Sequence, residues 1–199
     1  MIIKRKMIQL SNRIYDLMGP RAFSGYVSGP LTYGSSDMKE FYEVIAEVID
    51  SVFGPETAYV PHKHTDPVKH PNVTPKEVYR KDKKQVMNSN FVVAYVGAPS
   101  LGVGAELEMA NSKNIPFLLL HKKGEAVSRL PRGMDSNIGI FEYNSENEAL
   151  EWLEIAIIVM KGFMPKDPRR KVTKKQLSNM KAVIESISEA FYKRKTRNE

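Results

Sequence analysis

Cysteine is absent from the 199 residues. Its absence excludes thiol nucleophiles, cysteine-ligated metal sites and a disulfide framework, and it suits a reducing compartment. Long hydrophobic runs are also lacking, since runs such as Phe117–Leu120 and Ile155–Met160 fall far short of the roughly 20 residues that a bilayer span needs. The basic start is followed by no apolar stretch with a cleavage site, so no secretory signal is predicted. We therefore expect a cytoplasmic protein that does not contact a membrane.

Positive charge exceeds negative charge only at the end of the chain. Residues 161–199 hold 12 Lys or Arg against 4 Asp or Glu, which leaves 18 against 19 for residues 1–160. The same tail carries an apolar stripe at the spacing of an amphipathic helix: Leu177, Met180, Ile184, Ile187 and Phe191. Such a helix can pack on the body or on a partner subunit, contact nucleic acid, or lie on an anionic membrane. The stripe favours packing.

Strand-like and helix-like segments alternate along the body. Five segments rich in Val, Tyr, Phe and Ile predict strands: Ala22–Ser28, Thr57–Val60, Phe91–Val96, Pro116–His121 and Ile138–Tyr143. Four segments of helical period separate them: Asp37–Phe53, Pro75–Ser89, Val103–Lys113 and Glu146–Lys161. This alternation predicts an α/β protein with a five-stranded parallel sheet in the flavodoxin-like order 2-1-3-4-5. We expect a helix within residues 1–21, the α/β domain at 22–163 and a basic helical extension at 164–199.

A ligand crevice is expected where the strand order reverses, beyond the carboxyl ends of the first and third strands. Two glycine-rich segments lie there, at residues 28–34 and 97–106. Gly102-Val103-Gly104 leads into a helix and would place Glu106 in or near the first turn, where free N–H groups favour an anion. The sequence does not match the Walker A, dinucleotide-binding or nucleophile-elbow motifs. The candidate is a lone carboxylate, although Glu106 could instead serve only to start the helix.

Burial in such a crevice would raise the pKa of Glu106 by up to about 3 to 5 units. The helix dipole opposes this by no more than about 1.5 units, so a hydrogen-bond donor is needed, and Tyr26 is the candidate. Asp82 stands among lysines, a setting that also fits a solvated ion pair. His62, His64 and His70 lack a further ligand at a recognisable spacing, so no metal and no other cofactor is predicted.

The segment Pro99–Leu107, Pro-Ser-Leu-Gly-Val-Gly-Ala-Glu-Leu, resembles the 2′-deoxynucleoside 5′-phosphate N-hydrolases, which are relatives of the nucleoside 2-deoxyribosyltransferases. The resemblance covers roughly residues 22–160 and includes Tyr26–Gly29 and Asp82. It implies a flavodoxin-like homodimer whose catalytic domain, residues 22–163, cleaves the N-glycosidic bond of a (deoxy)nucleoside 5′-monophosphate. The products would be the free base and (deoxy)ribose 5-phosphate.

The resemblance also implies roles for single residues. Glu106 would be the nucleophile at C1′, Asp82 would assist the departing base or position the sugar, and Tyr26 would orient Glu106. This division of labour is that of retaining glycosidases. Ser128 would reach the phosphate bound by the neighbouring subunit. The other candidate substrate-binding residues are Ser28, Gly29, Pro30, Leu31, Thr32, Ser100, Gly102 and Gly104.

The chain departs from the hydrolase pattern at several positions. Pro30 and Thr32 replace a serine and an arginine, and Gly29-Pro30 is more similar to the deoxyribosyltransferases. Asn90 stands where the family usually has aspartate. Base exchange by a transferase is therefore the alternative within the same chemistry. A non-catalytic nucleotide-binding module that contacts nucleic acid through its tail is the alternative from another class.

Overall fold

The structure is a computed structural model that describes residues 23–31, 35–66 and 68–195. The predicted helix within residues 1–21 and the candidate residue Thr32 lie outside this part of the chain. No helix within the described residues is both long enough and apolar enough to cross a membrane.

Five parallel strands form one sheet: β1 (Gly25–Ser28), β2 (Ala58–Tyr59), β3 (Phe91–Tyr95), β4 (Phe117–Lys122) and β5 (Asn137–Tyr143). Their order is β2-β1-β3-β4-β5, which confirms the predicted fold class. The nearly continuous apolar sequence of β3 is fully buried because helices cover the sheet on both faces. The carboxyl ends of β1 and β3 are neighbours, with Tyr26 paired to Val92 and Ser28 to Ala94.

The helices of the described residues are α1 (Ser36–Phe53), α2 (His62–Thr65), α3 (Pro75–Asn88), α4 (Leu101–Asn111), α5 (Arg129–Arg132), α6 (Glu146–Phe163) and α7 (Lys174–Lys195). The single-turn helices α2 and α5 were not predicted, because one turn is too short to show a hydrophobic period. A capping box between Thr74 and Glu77 starts α3, and the Ser145 hydroxyl accepts a hydrogen bond from the Glu148 N–H at the start of α6.

Helix α4 begins at Leu101, two residues before the predicted start. The Ser100 hydroxyl accepts a hydrogen bond from the Val103 N–H at 3.3 Å and caps the helix. Gly102 therefore belongs to the helix rather than to a loop before it, and Gly104 lies inside the helix as predicted. Glu106 lies in the second turn, next to the first turn as predicted but beyond the free N–H groups of the helix start.

The predicted tail helix packs on the body. Helix α7 lies against β5 and α6 and buries Leu177, Met180 and Ile184. The indole N–H of Trp152 donates to the Ser188 hydroxyl at 3.1 Å. Gly139 on β5 lets α7 approach closely, because a Cβ there would stand 2.5 Å from Ile184 Cγ2. The domain boundaries proposed from the sequence stay a prediction.

Candidate active site

Glu106 reaches from α4 to the end of β1, where two hydroxyl groups hold its carboxylate. The Tyr26 hydroxyl donates to Oε1 at 2.7 Å, and the Ser28 hydroxyl donates to Oε2 at 2.5 Å. Alternate side chains of a strand share one face, so Tyr26 and Ser28 both point toward α4. Both are fully buried. The carboxylate is thus held at both oxygens by one strand.

Opposing effects determine the protonation of Glu106. Burial raises its pKa, the hydrogen bonds from Ser28 and Tyr26 lower it, and the charge of Asp82 raises it again, with a resulting pKa of about 7. The donor that the sequence argument required is present in Tyr26. Ser28 is a second donor that was not predicted in this role, since it was a candidate for substrate binding. At neutral pH, comparable fractions of the molecules therefore carry Glu106 in its ionised and in its protonated form.

Asp82 provides a second carboxylate from α3. Burial raises its pKa to about 6, although Lys81 opposes the shift. No salt bridge joins Asp82 to a lysine within the described part of the chain, so the alternative of a solvated ion pair is wrong. Its Oδ1 is enclosed and has no hydrogen-bond partner among the described residues. Asp82 and Glu106 act on each other electrostatically.

Tyr59 and His64 extend the site toward β2. Sequence analysis did not single out Tyr59, and it considered His64 only as a possible metal ligand. Tyr59 is the register partner of Tyr26, and their rings stack with centroids 5.6 Å apart. The His64 ring covers Tyr59 at 4.7 Å. The Tyr59 hydroxyl is enclosed without a hydrogen-bond partner in the described structure. Burial and the charges of Asp82 and Glu106 raise the pKa of Tyr59 to about 12.

The predicted substrate-binding residues of the loop after β1 face different ways. A Cβ at Gly29 would meet the Tyr42 ring at 2.3 Å, so only glycine fits there without rearrangement. Pro30 is buried, and Leu31 is partly buried against the core. Ser28 is engaged with Glu106, as described above. Residues 29–31, the described part of this loop, therefore contribute backbone and apolar surface more than free polar groups.

The candidates on α4 and α5 are more open. Gly102 and Gly104 are exposed, and a Cβ at Gly104 would meet nothing within 4 Å. Ser128 is exposed at the start of α5, where its hydroxyl accepts from the Leu130 N–H at 3.4 Å. Among the residues described here, no group of three His, Cys, Asp or Glu side chains is placed to hold a metal ion.

No family model matches the chain. Curated proteins named “Putative 2′-deoxynucleoside 5′-phosphate N-hydrolase 1” are similar to it. The protein of Thermofilum pendens is 34% identical over 85 residues, which cover 41% of this chain and 59% of that protein. The protein of Methanosarcina mazei is 33% identical over 86 residues, 43% of this chain and 53% of that protein. The protein of Syntrophotalea carbinolica is 38% identical over 47 residues, which cover 24% of this chain and 33% of that protein.

These matches confirm the resemblance that the segment Pro99–Leu107 indicated. They span less than two thirds of each relative's length. Among solved structures, a conserved protein from Enterococcus faecalis V583 is similar with a TM-score of 0.51 and 19% identity, over 67% of this chain and 98% of that one. A CMP N-glycosidase from Clostridium botulinum has a TM-score of 0.48 and 18% identity, over 66% of this chain and 98% of that one. The likeness to the Enterococcus protein supports the fold.

Proposed function

We propose that the protein is an N-glycosidase that cleaves (deoxy)nucleoside 5′-monophosphates to the free base and (deoxy)ribose 5-phosphate. The observation that carries this proposal is the pair of carboxylates, with Glu106 held by the Tyr26 and Ser28 hydroxyls and Asp82 close enough to raise its pKa. One ionised and one protonated carboxyl group are what glycosyl transfer with a covalent intermediate requires. The names of the similar curated proteins point to the same bond.

In the first step Glu106 attacks C1′ of the sugar while the C1′–N bond to the base breaks. The bonding electrons leave with the base nitrogen, which takes a proton from Asp82. The Tyr26 and Ser28 hydroxyls stabilise the ionised form of Glu106 and hold the carboxylate in one orientation. In the second step water attacks C1′, gives a proton to Asp82 and releases Glu106.

The substrate's 5′-phosphate would lie over the start of α4. Gly102 and Gly104 have no side chains to cover the helix backbone there, and Ser100 caps the first turn. Ser128 would contribute from the second subunit of a homodimer, since it is exposed on its own subunit. The homodimer and a cytoplasmic location are part of this proposal.

Turnover tests the proposal directly. The protein is incubated with each deoxynucleoside monophosphate, and free base and deoxyribose 5-phosphate are quantified with and without an added acceptor base. Release without an acceptor supports the hydrolase. Base exchange that requires an acceptor and uses unphosphorylated nucleosides would instead show a transferase, and binding without turnover would show a nucleotide-binding module.

A matched pair of variants assigns the nucleophile. Glu106→Gln should abolish release, whereas Glu108→Gln, an exposed position on the same helix, should keep full activity. Mass spectrometry of quenched wild-type enzyme should find the sugar phosphate on the peptide that contains Glu106. Full turnover by Glu106→Gln would refute the mechanism.

A further inference from the structure

The two carboxylates of the site differ in the hydrogen bonds that they accept. Glu106 accepts hydrogen bonds at both oxygens, whereas Oδ1 of Asp82 is enclosed and accepts none from the described residues. A buried oxygen without a partner is unfavourable, so such an atom in a native site calls for an explanation.

An unused donor stands on the neighbouring strand. Tyr59 pairs in register with Tyr26, so the two side chains leave the sheet side by side on one face. Tyr26 donates to Glu106, while the Tyr59 hydroxyl is enclosed without a partner in the described structure. The charge of Asp82 acts on Tyr59 and raises its pKa, so the carboxylate and the hydroxyl belong to one electrostatically coupled site.

Stacking restricts what Tyr59 can do. The Tyr26 ring stacks on Tyr59 with centroids 5.6 Å apart, and the His64 ring stacks on it with centroids 4.7 Å apart, so the ring is held in place. These two rings compete with a base or sugar for the stacking surface of Tyr59. The hydroxyl group is the part of Tyr59 that remains available for an interaction.

We propose that Tyr59 is a positioning residue for Asp82, donating a hydrogen bond to its Oδ1 once the two side chains close on each other in the working enzyme. Each carboxylate then has a tyrosine of its own, from adjacent strands of the sheet. The catalytic consequence of this pairing rests on the proposed N-glycosidase function, whereas the hydrogen bond itself does not.

The groups that face Asp82 determine the direction of the expected effect. The groups that interact electrostatically with Asp82 are Lys81 on α3, Glu106 on α4, Tyr26 on β1 and Tyr59 on β2, and His64 stacks on Tyr59. Tyr59 keeps its proton throughout the assay range and can only donate to the carboxylate. A hydrogen bond to the ionised form lowers the pKa of Asp82, so its removal should raise that pKa by about one unit.

The test is an NMR titration of the Asp82 carboxyl carbon, assigned with Asp82→Asn, in the free protein and with deoxyribose 5-phosphate. Tyr59→Phe should raise the pKa of Asp82 by about one unit. The matched control is Tyr42→Phe, which removes a buried hydroxyl that also lacks a partner but belongs to the opposite face of the sheet, and it should leave this pKa unchanged. A higher pKa in either condition supports the hydrogen bond.

An unchanged pKa of Asp82 in Tyr59→Phe, both with and without the sugar phosphate, would overturn the proposal. The melting temperature provides a second measurement, because loss of a real hydrogen bond destabilises the variant, whereas loss of a hydroxyl without a partner does not. In turnover assays Tyr59→Phe should shift the basic limb of the pH profile upward with little change in KM. If the wild-type protein cleaves no nucleotide, the proposed function fails while the titration still decides the role of Tyr59.

Discussion

The Tyr26 hydroxyl lies 2.7 Å from Oε1 of Glu106, although the two residues are 80 positions apart in the sequence. The contact joins β1 to the second turn of α4 across the carboxyl end of the sheet. It places a phenol, whose own pKa is raised by burial and by Glu106, against a carboxylate that burial pushes toward the neutral form. The hydroxyl therefore acts only as a donor, and a substitution that removes it should change the pKa of Glu106.

Tyr26→Phe removes one of the two hydrogen bonds to Glu106. A hydrogen bond to a charged group contributes about 1.5 to 3 kcal/mol, so kcat/KM should fall by about 10- to 100-fold. The acid limb of the pH profile should also move upward, because the ionised form of Glu106 loses a stabilising contact. Tyr143→Phe is the control, since its buried hydroxyl has no partner among the described residues and belongs to the other face. Equal profiles for both variants would contradict a role for Tyr26.

The pH dependence should report the pair of carboxylates. With pKa values of about 6 for Asp82 and about 7 for Glu106, the pair holds one proton between these limits, and the larger share of it is on Glu106. The form that the mechanism uses, with Asp82 protonated and Glu106 ionised, is the minor one-proton form. If turnover needs one ionised and one protonated group, kcat/KM should be bell-shaped with a maximum near about pH 6.5.

Asp82→Asn separates the two limbs of that profile. The basic limb should disappear because the amide does not titrate. The remaining acid limb then follows Glu106 alone, and the pKa of Glu106 should lie below about 7 because the charge that raises it is gone. Initial rates between pH 4.5 and 9 measure both effects. A bell of unchanged shape in the variant would show that Asp82 does not titrate in the reaction.

Burial of Glu106 should also reduce stability at high pH. Its pKa is about 7 in the folded protein and about 4.5 without burial, so the folded state binds more protons between these values. The free energy of unfolding therefore falls as the pH rises through this range, and the cost is fully present above about pH 7. Glu106→Gln should be more stable than wild type at pH 8 by at most about 3 kcal/mol, and the difference should vanish at pH 4.

Chemical denaturation at both pH values measures this effect. Glu108→Gln, which removes an exposed carboxylate from the same helix, should change stability little at either pH. Equal stabilities of wild type and Glu106→Gln at pH 8 would show that the carboxylate is better solvated than the structure indicates.

Much of the fold follows from local patterns. The five apolar segments predict the five strands because buried parallel strands are apolar throughout, as in β3. The spacing of Leu177, Met180 and Ile184 likewise predicts the buried face of α7. Strand lengths were less predictable, since β2 spans two residues where the pattern suggested four. Its edge position leaves the ends of the segment without a second ladder of hydrogen bonds.

The site was predicted only in part, for reasons of chain geometry. Gly102 was predicted to lie in a loop because glycine disfavours helices, yet the Ser100 cap starts α4 before it. Ser28 could have been assigned to Glu106 from its two-residue spacing to Tyr26. Tyr59 could not be assigned, because its place beside Tyr26 depends on the register of two strands that are distant in the sequence.

The attachment of α7 leads to a last prediction, about stability. A Cβ at Gly139 would stand 2.5 Å from Ile184 Cγ2 and 3.4 Å from Leu118 Cδ2, so Gly139→Ala should push α7 away from β5 and destabilise the protein by about 1 to 3 kcal/mol. Gly162→Ala makes the same change on α6, where nothing lies within 4 Å of the new atom. This control should be neutral, or more stable by about 0.5 to 1 kcal/mol, because alanine favours a helix.

Thermal melting of the two alanine variants compares these sites directly. Equal melting temperatures would mean that α7 does not press on β5 in solution. If Gly139→Ala is the less stable variant, removal of α7 would expose Trp152 and Phe141, which it covers through Ser188, Phe191 and Tyr192. A truncated protein would then lose its core packing, so nucleic-acid contact through the basic tail has to be tested by charge reversal at exposed positions such as Lys174, Lys175 and Lys181. Loss of salt-dependent polynucleotide binding in that variant, with unchanged melting temperature, would demonstrate such a contact.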